Sequence, residues 1–224
     1  FLATAAATVL LGTLYPLVAD ALELGNLSVG APYFNTVFIP LMVPLVLLMG
    51  IGPMMAWKRS DLAGVLARLK GALFGVGLVF ALALSLSGID AIDIAGSAGI
   101  ALAAWLFFAS FTEWAGRVRL FKLSPANLWK RVKALPRASH GMTIAHMGMA
   151  VLIVGVSGSS AWKQENILTM GAGETITVAG FDVTFHGAET IRGPNYESVQ
   201  GTFSATRGDG KAVTLKPERR IYDQ

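Results

Sequence analysis

The sequence predicts a membrane all-α bundle of about five transmembrane helices, followed by a small extracytoplasmic all-β domain. Apolar residues make up 54% of the 224 positions and charged residues 14%, which excludes a disordered tail and an ordinary soluble domain. Stretches of about 20 apolar residues, enough to cross a bilayer, occur only in the first two-thirds of the chain. We therefore expect a transmembrane helical region at 1–162 and a β-domain at 163–224, truncated at its C-terminal end.

Five spans are predicted, at about 1–15, 34–57, 71–86, 94–111 and 142–162. The first is expected to end at Pro16, because proline has no N–H for the helical ladder. Pro40, Pro44 and Pro53 predict a second span that is kinked or partly broken. The opening apolar run has neither Met nor a basic segment ahead of it, so it is predicted to start within a helix and not to be a signal peptide.

Basic residues define the predicted topology. The first 162 residues contain 11 Lys and Arg, all at 58–70 or 117–137, and six acidic residues, a net charge of +5. Short cytoplasmic loops collect Lys and Arg, so these two segments are predicted to be cytoplasmic and the loop at 18–35 and the tail to lie outside. The segment 57–70 is predicted to be amphipathic and interfacial. Because the basic residues are confined to loops between spans, nucleic-acid binding is not expected.

The tail alternates apolar and polar residues at period two, as half-buried strands do. The alternating sets are Ile176 and Val178; Phe181, Val183 and Phe185; Phe203 and Ala205; and Val213 and Leu215. Turns are predicted at 179–180 and 208–210. About 60 residues are marginal for a free-standing core, so a partner or further chain is expected to complete this domain.

The chain contains no Cys, which excludes disulfides, thiolate metal sites and dithiol chemistry of its own. Any thioether chemistry must use sulfur from another molecule. No His-x-x-His, Glu-x-x-His or paired His–carboxylate spacing occurs, so a protein-encoded zinc site is unsupported.

His146 is the histidine that lies well inside a predicted span, about one turn from its cytoplasmic end. A polar ring in lipid is costly unless it is paired, hydrogen-bonded or ligated. Gly141, Ala145, Gly148 and Met149 are expected to leave a low-relief surface beside it. Two functions remain open: a ligand of haem iron, with a second histidine from another helix, or a hydrogen-bonding group between helices.

The other two histidines are not expected to be ligands. Ser139 is a natural N-cap for the fifth span, so His140 is predicted in the first turn at the membrane interface. His186 ends the strand FDVTFH and is predicted to be a solvent-facing edge side chain.

Two further segments are candidate contact surfaces. The loop at 28–35 joins small residues to an aromatic dipeptide at the outer surface, and its candidate contact residues are Ser28, Gly30, Pro32, Tyr33, Phe34 and Asn35. It is either a contact platform or a simple aromatic belt. The second segment, Gly193, Pro194, Asn195 and Tyr196, is either a docking turn or the closure of a hairpin.

Several strings of residues together resemble one family. They are GTLYPL at 12–17, SVGAPYFN at 28–35, MGIGP at 49–53, AHMGMAVLIVGV at 145–156 and GPNY at 193–196. In this order they are similar to the C-terminal half of the CcmF/NrfE-type family, the membrane haem lyase subunits of cytochrome c maturation. The resemblance covers essentially the whole chain.

The resemblance implies a site and a function. It implies that His146 is an axial ligand of a stably bound haem b, which passes electrons to the incoming haem. It implies a haem chaperone (CcmE), a CcmH-type thiol-handling subunit and apocytochrome c as partners, with membrane lipid around the helices. It also implies that haem is attached through thioether bonds to apocytochrome Cys residues. The implied location is the bacterial inner membrane, with the C-terminal domain in the periplasm.

The sequence also departs from the family pattern. The family's Trp-rich haem-handling motif, its two extracytoplasmic histidines and its other transmembrane histidine have no counterpart here, and neither does a span after the β-domain. The fragment is therefore not expected to be active alone, and the second haem ligand is expected outside it. The alternatives are a non-catalytic scaffold that docks assembly partners through its β-domain, and a transporter half favoured only by the Pro-rich span.

Overall fold

The computed structural model describes residues 1–24, 29–55 and 61–222, and contacts divide the chain into two compact units, Phe1–Trp162 and Lys163–Gln224. In its described part the first unit contains seven α-helices: α1 (Leu2–Ala21), α2 (Ala31–Ile51), α3 (Leu62–Arg68), α4 (Lys70–Ser87), α5 (Ala91–Val118), α6 (Pro125–Ala134) and α7 (Arg137–Ala161). Among these, α1, α2, α4, α5 and α7 are long and apolar enough to cross a membrane.

The prolines interrupt the helices less than their sequence predicts. α1 continues through Pro16 to Ala21, and α2 stays α-helical through Pro40 and Pro44. Each proline removes one backbone hydrogen bond, but the remaining bonds carry a membrane helix past it. The expected break occurs only at the end of α2, in a 3₁₀ turn, Gly52–Met54. The unbroken helix removes the feature that favoured a transporter half.

Helix α5 is the centre of the first unit, because two buried clusters meet on it. Trp105 and Ala109 pack against α3 and α4, while Ala103 and Leu106 pack against α2 and α7. The Trp105 indole N–H also donates a hydrogen bond of 3.2 Å to the backbone carbonyl of Leu47 on α2. Helices α2, α3, α4 and α7 therefore all pack against α5.

Two short helices lie in the basic segments. α3 begins after Asp61, whose carboxylate accepts a hydrogen bond of 3.0 Å from the Ala63 backbone N–H, as an N-cap does. Val65 and Leu69 are buried, whereas Leu62 and Leu66 are exposed, so one face of α3 packs on the rest of the unit. The predicted amphipathic segment began at Trp57, and its first residues, 57–60, lie outside the described residues. The sequence did not predict α6, which occupies the middle of the second basic segment.

The second unit is a five-stranded antiparallel sheet in its described part, which confirms the predicted β-domain. Its strands are β1 (Thr175–Val178), β2 (Phe181–Arg192), β3 (Tyr196–Thr206), β4 (Val213–Leu215) and β5 (Glu218–Tyr222). The order is β1-β2-β3-β4, and β5 pairs with the other end of β3. Turns occur at Ala179–Gly180 and around Gly208, where the backbone has positive φ, as predicted.

The alternating apolar residues of the tail share one face of this sheet. Ile176 pairs with Val183, Phe185 with Phe203, and Phe203 with Leu215, and residues directly opposite in a ladder lie on the same face. The rings of Phe185 and Phe203 are 4.9 Å apart. This face is not enclosed: in the described part of this unit, Ser198 is the one buried residue.

Glu218→Gln is predicted to weaken the pairing of β3 with β5 in a pH-dependent way. A hydrogen bond from Arg220 holds the pKa of the Glu218 carboxyl below its usual value of 4.5. A carboxyl group whose pKa is lower in the folded chain than in the unfolded chain stabilises the fold at pH values above the unfolded pKa. This contribution is lost as the pH falls through the folded pKa. Hydrogen exchange of the β3–β5 amides, corrected for intrinsic rates, should therefore be faster in the variant at pH 7, and the difference from wild type should shrink as the pH is lowered below 4.5.

The matched control is Glu189→Gln, which removes an exposed carboxylate from β2. It should leave the exchange of the β3–β5 amides unchanged. A difference between Glu218→Gln and wild type that persists at the acidic pH would contradict the role of the ionised carboxylate.

Candidate functional site

Helices α5 and α7 pack along a seam of small residues. A Cβ added to Gly96 would lie 2.5 Å from the Cβ of Ala161, and one added to Gly99 would lie 2.8 Å from the Cβ of Ser157. Small residues let two helix backbones approach closely, which is how membrane helices gain packing energy in lipid.

His146 lies on this seam. Ser139, Thr143, His146 and Ala150 follow one another at alternating spacings of four and three residues, so they share one face of α7. Ser139, Thr143 and Ala150 are buried, and His146 is half-buried. The imidazole is thus placed at the edge of a tightly packed helix pair.

Ser110 lies on α5 at the level of His146. Gly99 of α5 lies against Ser157 of α7, and the two helices run antiparallel. Ser110 follows Gly99 by 11 residues and His146 precedes Ser157 by 11 residues, so both lie the same distance along the helix pair. The Ser110 hydroxyl is buried and has no hydrogen-bond partner. Within the described part of the chain neither ring nitrogen of His146 is hydrogen-bonded, in contrast to the rings of His140 and His186. Hydrogen bonding between helices by His146 therefore has no described partner.

The glycines near His146 do not lie beside its ring. At 100° per residue, Gly141 and Gly148 are about 140° and 160° around α7 from His146. A Cβ added at either glycine would meet nothing within 4 Å. The expected low-relief surface next to the imidazole is wrong for these two positions, because the five- and two-residue spacings carry them to the outer side of the helix.

His140 lies in the first turn of α7, as predicted, and its ring belongs to a three-helix junction. α7 begins at Arg137, so Ser139 is inside the helix and does not cap it. The Trp114 indole N–H of α5 donates to His140 Nδ1 at 3.2 Å, and His140 Nε2 lies 3.0 Å from the Val132 carbonyl of α6. Since Nδ1 accepts, the proton must be on Nε2, which donates to that carbonyl. The neutral ring therefore links α5, α6 and α7.

An ion pair reinforces the same junction. Glu113 of α5 is buried and pairs with Arg117 one turn later. Arg117 also donates a hydrogen bond of 3.1 Å to the Ser139 hydroxyl, and its backbone carbonyl accepts one of 3.0 Å from Arg131 of α6. The second oxygen of the Glu113 carboxylate has no hydrogen-bond partner.

Sequence reasoning missed these junction residues because it did not predict α6. A signal was present: Ser124 followed by Pro125 is typical of an N-cap and the first helical position. The prolines and the dense charge of the basic stretch were instead interpreted as a loop.

The residues of the predicted outer loop are mostly helical. Gly30 is the N-cap of α2 and Pro32 lies in its first turn, where a missing N–H costs nothing. Tyr33 and Phe34 are half-buried against α1, where a Cβ on Gly12 would lie 2.6 Å from the Tyr33 ring. The Tyr33 hydroxyl lies 3.3 Å from the Thr8 carbonyl. Asn35 follows within α2, and Ser28 lies outside the described residues.

Pro32, Tyr33, Phe34 and Asn35 are therefore helical, which corrects the predicted loop, because the N-terminal proline starts the helix earlier than expected. Their use as a contact surface stays a prediction. In the tail, the turn at 193–196 closes the β2–β3 hairpin, and the Gly193 N–H donates to the Tyr196 carbonyl at 2.8 Å. Tyr196 packs against Tyr222, with ring centroids 5.6 Å apart.

His186 is exposed and lies 2.8 Å from the Ser204 hydroxyl. Within residues 1–24, 29–55 and 61–222, no three His, Asp or Glu side chains gather in a way that could hold a metal ion. Among the described histidines, His146 is thus the one with neither ring nitrogen in a hydrogen bond, whereas His186 has one nitrogen bonded and His140 has both.

Comparisons with known proteins agree with this architecture. A family model described as "CcmF C-terminal beta-sandwich" matches residues 161–224. The cytochrome c-type biogenesis protein CycK of Rhizobium meliloti is 36% identical over 221 residues, which cover 99% of this chain and 32% of the relative. The corresponding CcmF of Pseudomonas fluorescens is 39% identical over 221 residues, covering 99% of this chain and 32% of that protein. A solved structure named "Cytochrome c Heme Lyase CcmF" matches the fold with a TM-score of 0.60 at 24% identity, over 98% of this chain and 35% of that chain.

Five membrane-length helices followed by an antiparallel sheet define a multi-pass membrane protein with a separate β-domain. The chain belongs to the CcmF family of cytochrome c-type biogenesis proteins, whose C-terminal part it matches. It spans about a third of the length of the curated relatives it matches.

Proposed function

We propose that this chain is part of a membrane haem lyase and that His146 would supply a ligand to the iron of a haem b. The observation that carries the proposal is the half-buried imidazole of His146, which has no hydrogen-bond partner among the described residues. A polar ring in lipid without a partner is costly, and iron ligation is one way to remove that cost.

The residues at this level of the seam fit such a group. A ligating histidine almost always donates its second ring N–H to a neighbouring acceptor. The buried and unpartnered hydroxyl of Ser110 lies at the level of His146 and can supply that acceptor. A hydrogen bond from the second ring N–H of His146 to this hydroxyl would orient a neutral imidazole ligand from α5.

A bound haem b would supply one-electron redox chemistry, which supports reduction of the haem to be attached. His146 would hold such a group, and Ser110 would orient the imidazole from α5. This chain has no Cys and supplies no sulfur itself, and in the proposal the thioether sulfurs come from apocytochrome c. Catalysis requires the rest of the protein, a haem chaperone and a thiol-handling subunit as partners. We place the complex in the bacterial inner membrane with the β-domain in the periplasm.

The test is the reduced-minus-oxidised absorption spectrum of the purified full-length protein, with haem quantified per polypeptide. His146→Ala and His146→Gln are both expected to lose the b-type signal while the protein still folds. Ser110→Ala is expected to keep a haem that is retained about tenfold less tightly, the usual cost of losing an outer hydrogen bond to a ligating histidine.

His186→Ala removes an exposed imidazole from the β-domain and serves as the matched control, with unchanged haem. The glutamine variant separates the two explanations of His146, because an amide can replace a hydrogen bond between helices but not an iron ligand. Unchanged haem content and spectrum in His146→Gln would overturn the proposal.

A second function, a scaffold that docks assembly partners, is favoured by the open apolar face of the sheet. Val213 and Leu215 lie on that face and are about half exposed. An apolar sheet face normally packs against a second layer. Mutating Leu215 to Ser should reduce co-purification of haem-chaperone or thiol-handling subunits without changing haem content, if this face is the docking surface.

A further inference from the structure

A basic cleft lies where α2, α3 and α5 end in the first unit. It has a volume of about 970 Å³, and its basic lining residues are Arg68, Arg117, Arg119 and Lys122. Its one acidic lining residue is Glu113, which is buried and ion-paired with Arg117. Among the described residues Arg68, Arg119 and Lys122 have no ion pair, so the cleft is left with net positive charge.

The backbone conformation of Arg119 is a second, independent observation. α5 ends in a reversal in which the Leu120 N–H bonds to the Ala115 carbonyl at 2.9 Å and the Arg119 N–H to the Gly116 carbonyl at 3.2 Å. Arg119 has φ of +57° at the position of this motif that glycine normally occupies. Arginine costs more than glycine at this φ, which makes its side chain a candidate for a function.

Apolar side chains line the same cleft. Met54 and Phe111 form part of its wall. Phe121, which lies between Arg119 and Lys122 in the sequence, is 86% exposed. The cleft lies at the ends of two membrane-length helices, α2 and α5, where headgroups meet the hydrocarbon region. Cations beside exposed aromatic and aliphatic groups match a ligand that is anionic at one end and apolar at the other.

We propose that this cleft binds the headgroup phosphate of an anionic phospholipid. Arg119, Lys122 and Arg68 hold the phosphate, and Met54, Phe111 and Phe121 contact the glycerol and the first methylenes of the acyl chains. Free inorganic phosphate shares the anionic chemistry but gains nothing from the apolar wall, so the lipid is the occupant favoured by the lining.

Native mass spectrometry of the full-length protein in nanodiscs that contain phosphatidylglycerol and phosphatidylcholine tests the proposal. The wild type should retain phosphatidylglycerol at least about fivefold better than phosphatidylcholine, and each cation removed should lower retention about fivefold. Arg119→Gly is the key variant, because glycine suits the positive φ and leaves the fold intact while the guanidinium is lost.

Arg119→Lys should retain part of the preference, since it keeps the charge. Lys130→Gln, which removes an exposed cation of α6 that does not line the cleft, should bind as wild type does. Equal retention of phosphatidylglycerol by wild type and by the Arg119→Gly/Lys122→Gln double variant would overturn the proposal. Displacement of the lipid by millimolar inorganic phosphate would overturn it in favour of a soluble anion.

Discussion

Gly99→Leu is expected to open the seam between α5 and α7 and to destabilise the helical unit by about 3 kcal/mol, the upper end for overpacking. A Cβ at this position already meets the Cβ of Ser157 at 2.8 Å and comes closer still to its hydroxyl oxygen. Neither is the end of a long flexible side chain, so the helices themselves must separate. Separation also moves His146 relative to Ser110, so under the proposed function haem retention should fall together with stability.

Thermal unfolding in detergent, followed by circular dichroism, measures the effect of Gly99→Leu. The matched control is Gly77→Leu on α4, where a Cβ meets nothing within 4 Å and stability should not fall. A compensating pair sharpens the test: Gly99→Ala alone should be destabilised, and Gly99→Ala/Ser157→Gly should recover, because the second change removes the atoms in the way. If the Gly99→Leu variant unfolds at the same temperature as the wild type, α5 and α7 do not pack in this register.

Arg117→Met is expected to destabilise the helical unit by about 2 to 3 kcal/mol. Removing one partner of a buried pair leaves the other charge uncompensated, at a typical cost of about 3 to 5 kcal/mol. Arg117 is 40% exposed, which lowers the expected cost because solvent screens the pair. The Glu113 side chain is only 7% exposed and one of its oxygens already lacks a partner, so it has little access to water after the change.

A double variant distinguishes the cost of the orphaned carboxylate from the loss of arginine packing. Glu113→Leu/Arg117→Met should recover most of the lost stability, since replacing both members of a buried pair by apolar residues is often nearly neutral. Arg137→Met, on an exposed arginine at the start of α7, should unfold as wild type does. A double variant that is as unstable as Arg117→Met would contradict the role assigned to the Glu113 charge.

The spans and strands could be predicted because their signals are local. A run of apolar residues long enough to cross a bilayer predicts a span wherever it occurs, and alternation at period two placed Phe185, Phe203 and Leu215 on one sheet face. Helix ends were less accurate. Pro16 did not end α1. Pro32, in the first turn of α2, precedes Tyr33 and Phe34, which had been assigned to a loop. The cost of a missing N–H depends on where the proline lies in the helix.

In the candidate site, too, local features could be predicted from the sequence, and contacts between helices could not. The sequence by itself determined that His146 is a polar ring inside an apolar span, and the strings around it indicated the family. Only the tertiary structure decided that Ser110 lies at its level and that His140 is bound to Trp114, 26 residues away. The physical reason is that periodicity reports which face of its own helix a residue occupies. The residue it meets depends on the rotation and register of two helices, which the small residues along the whole α5–α7 seam set together.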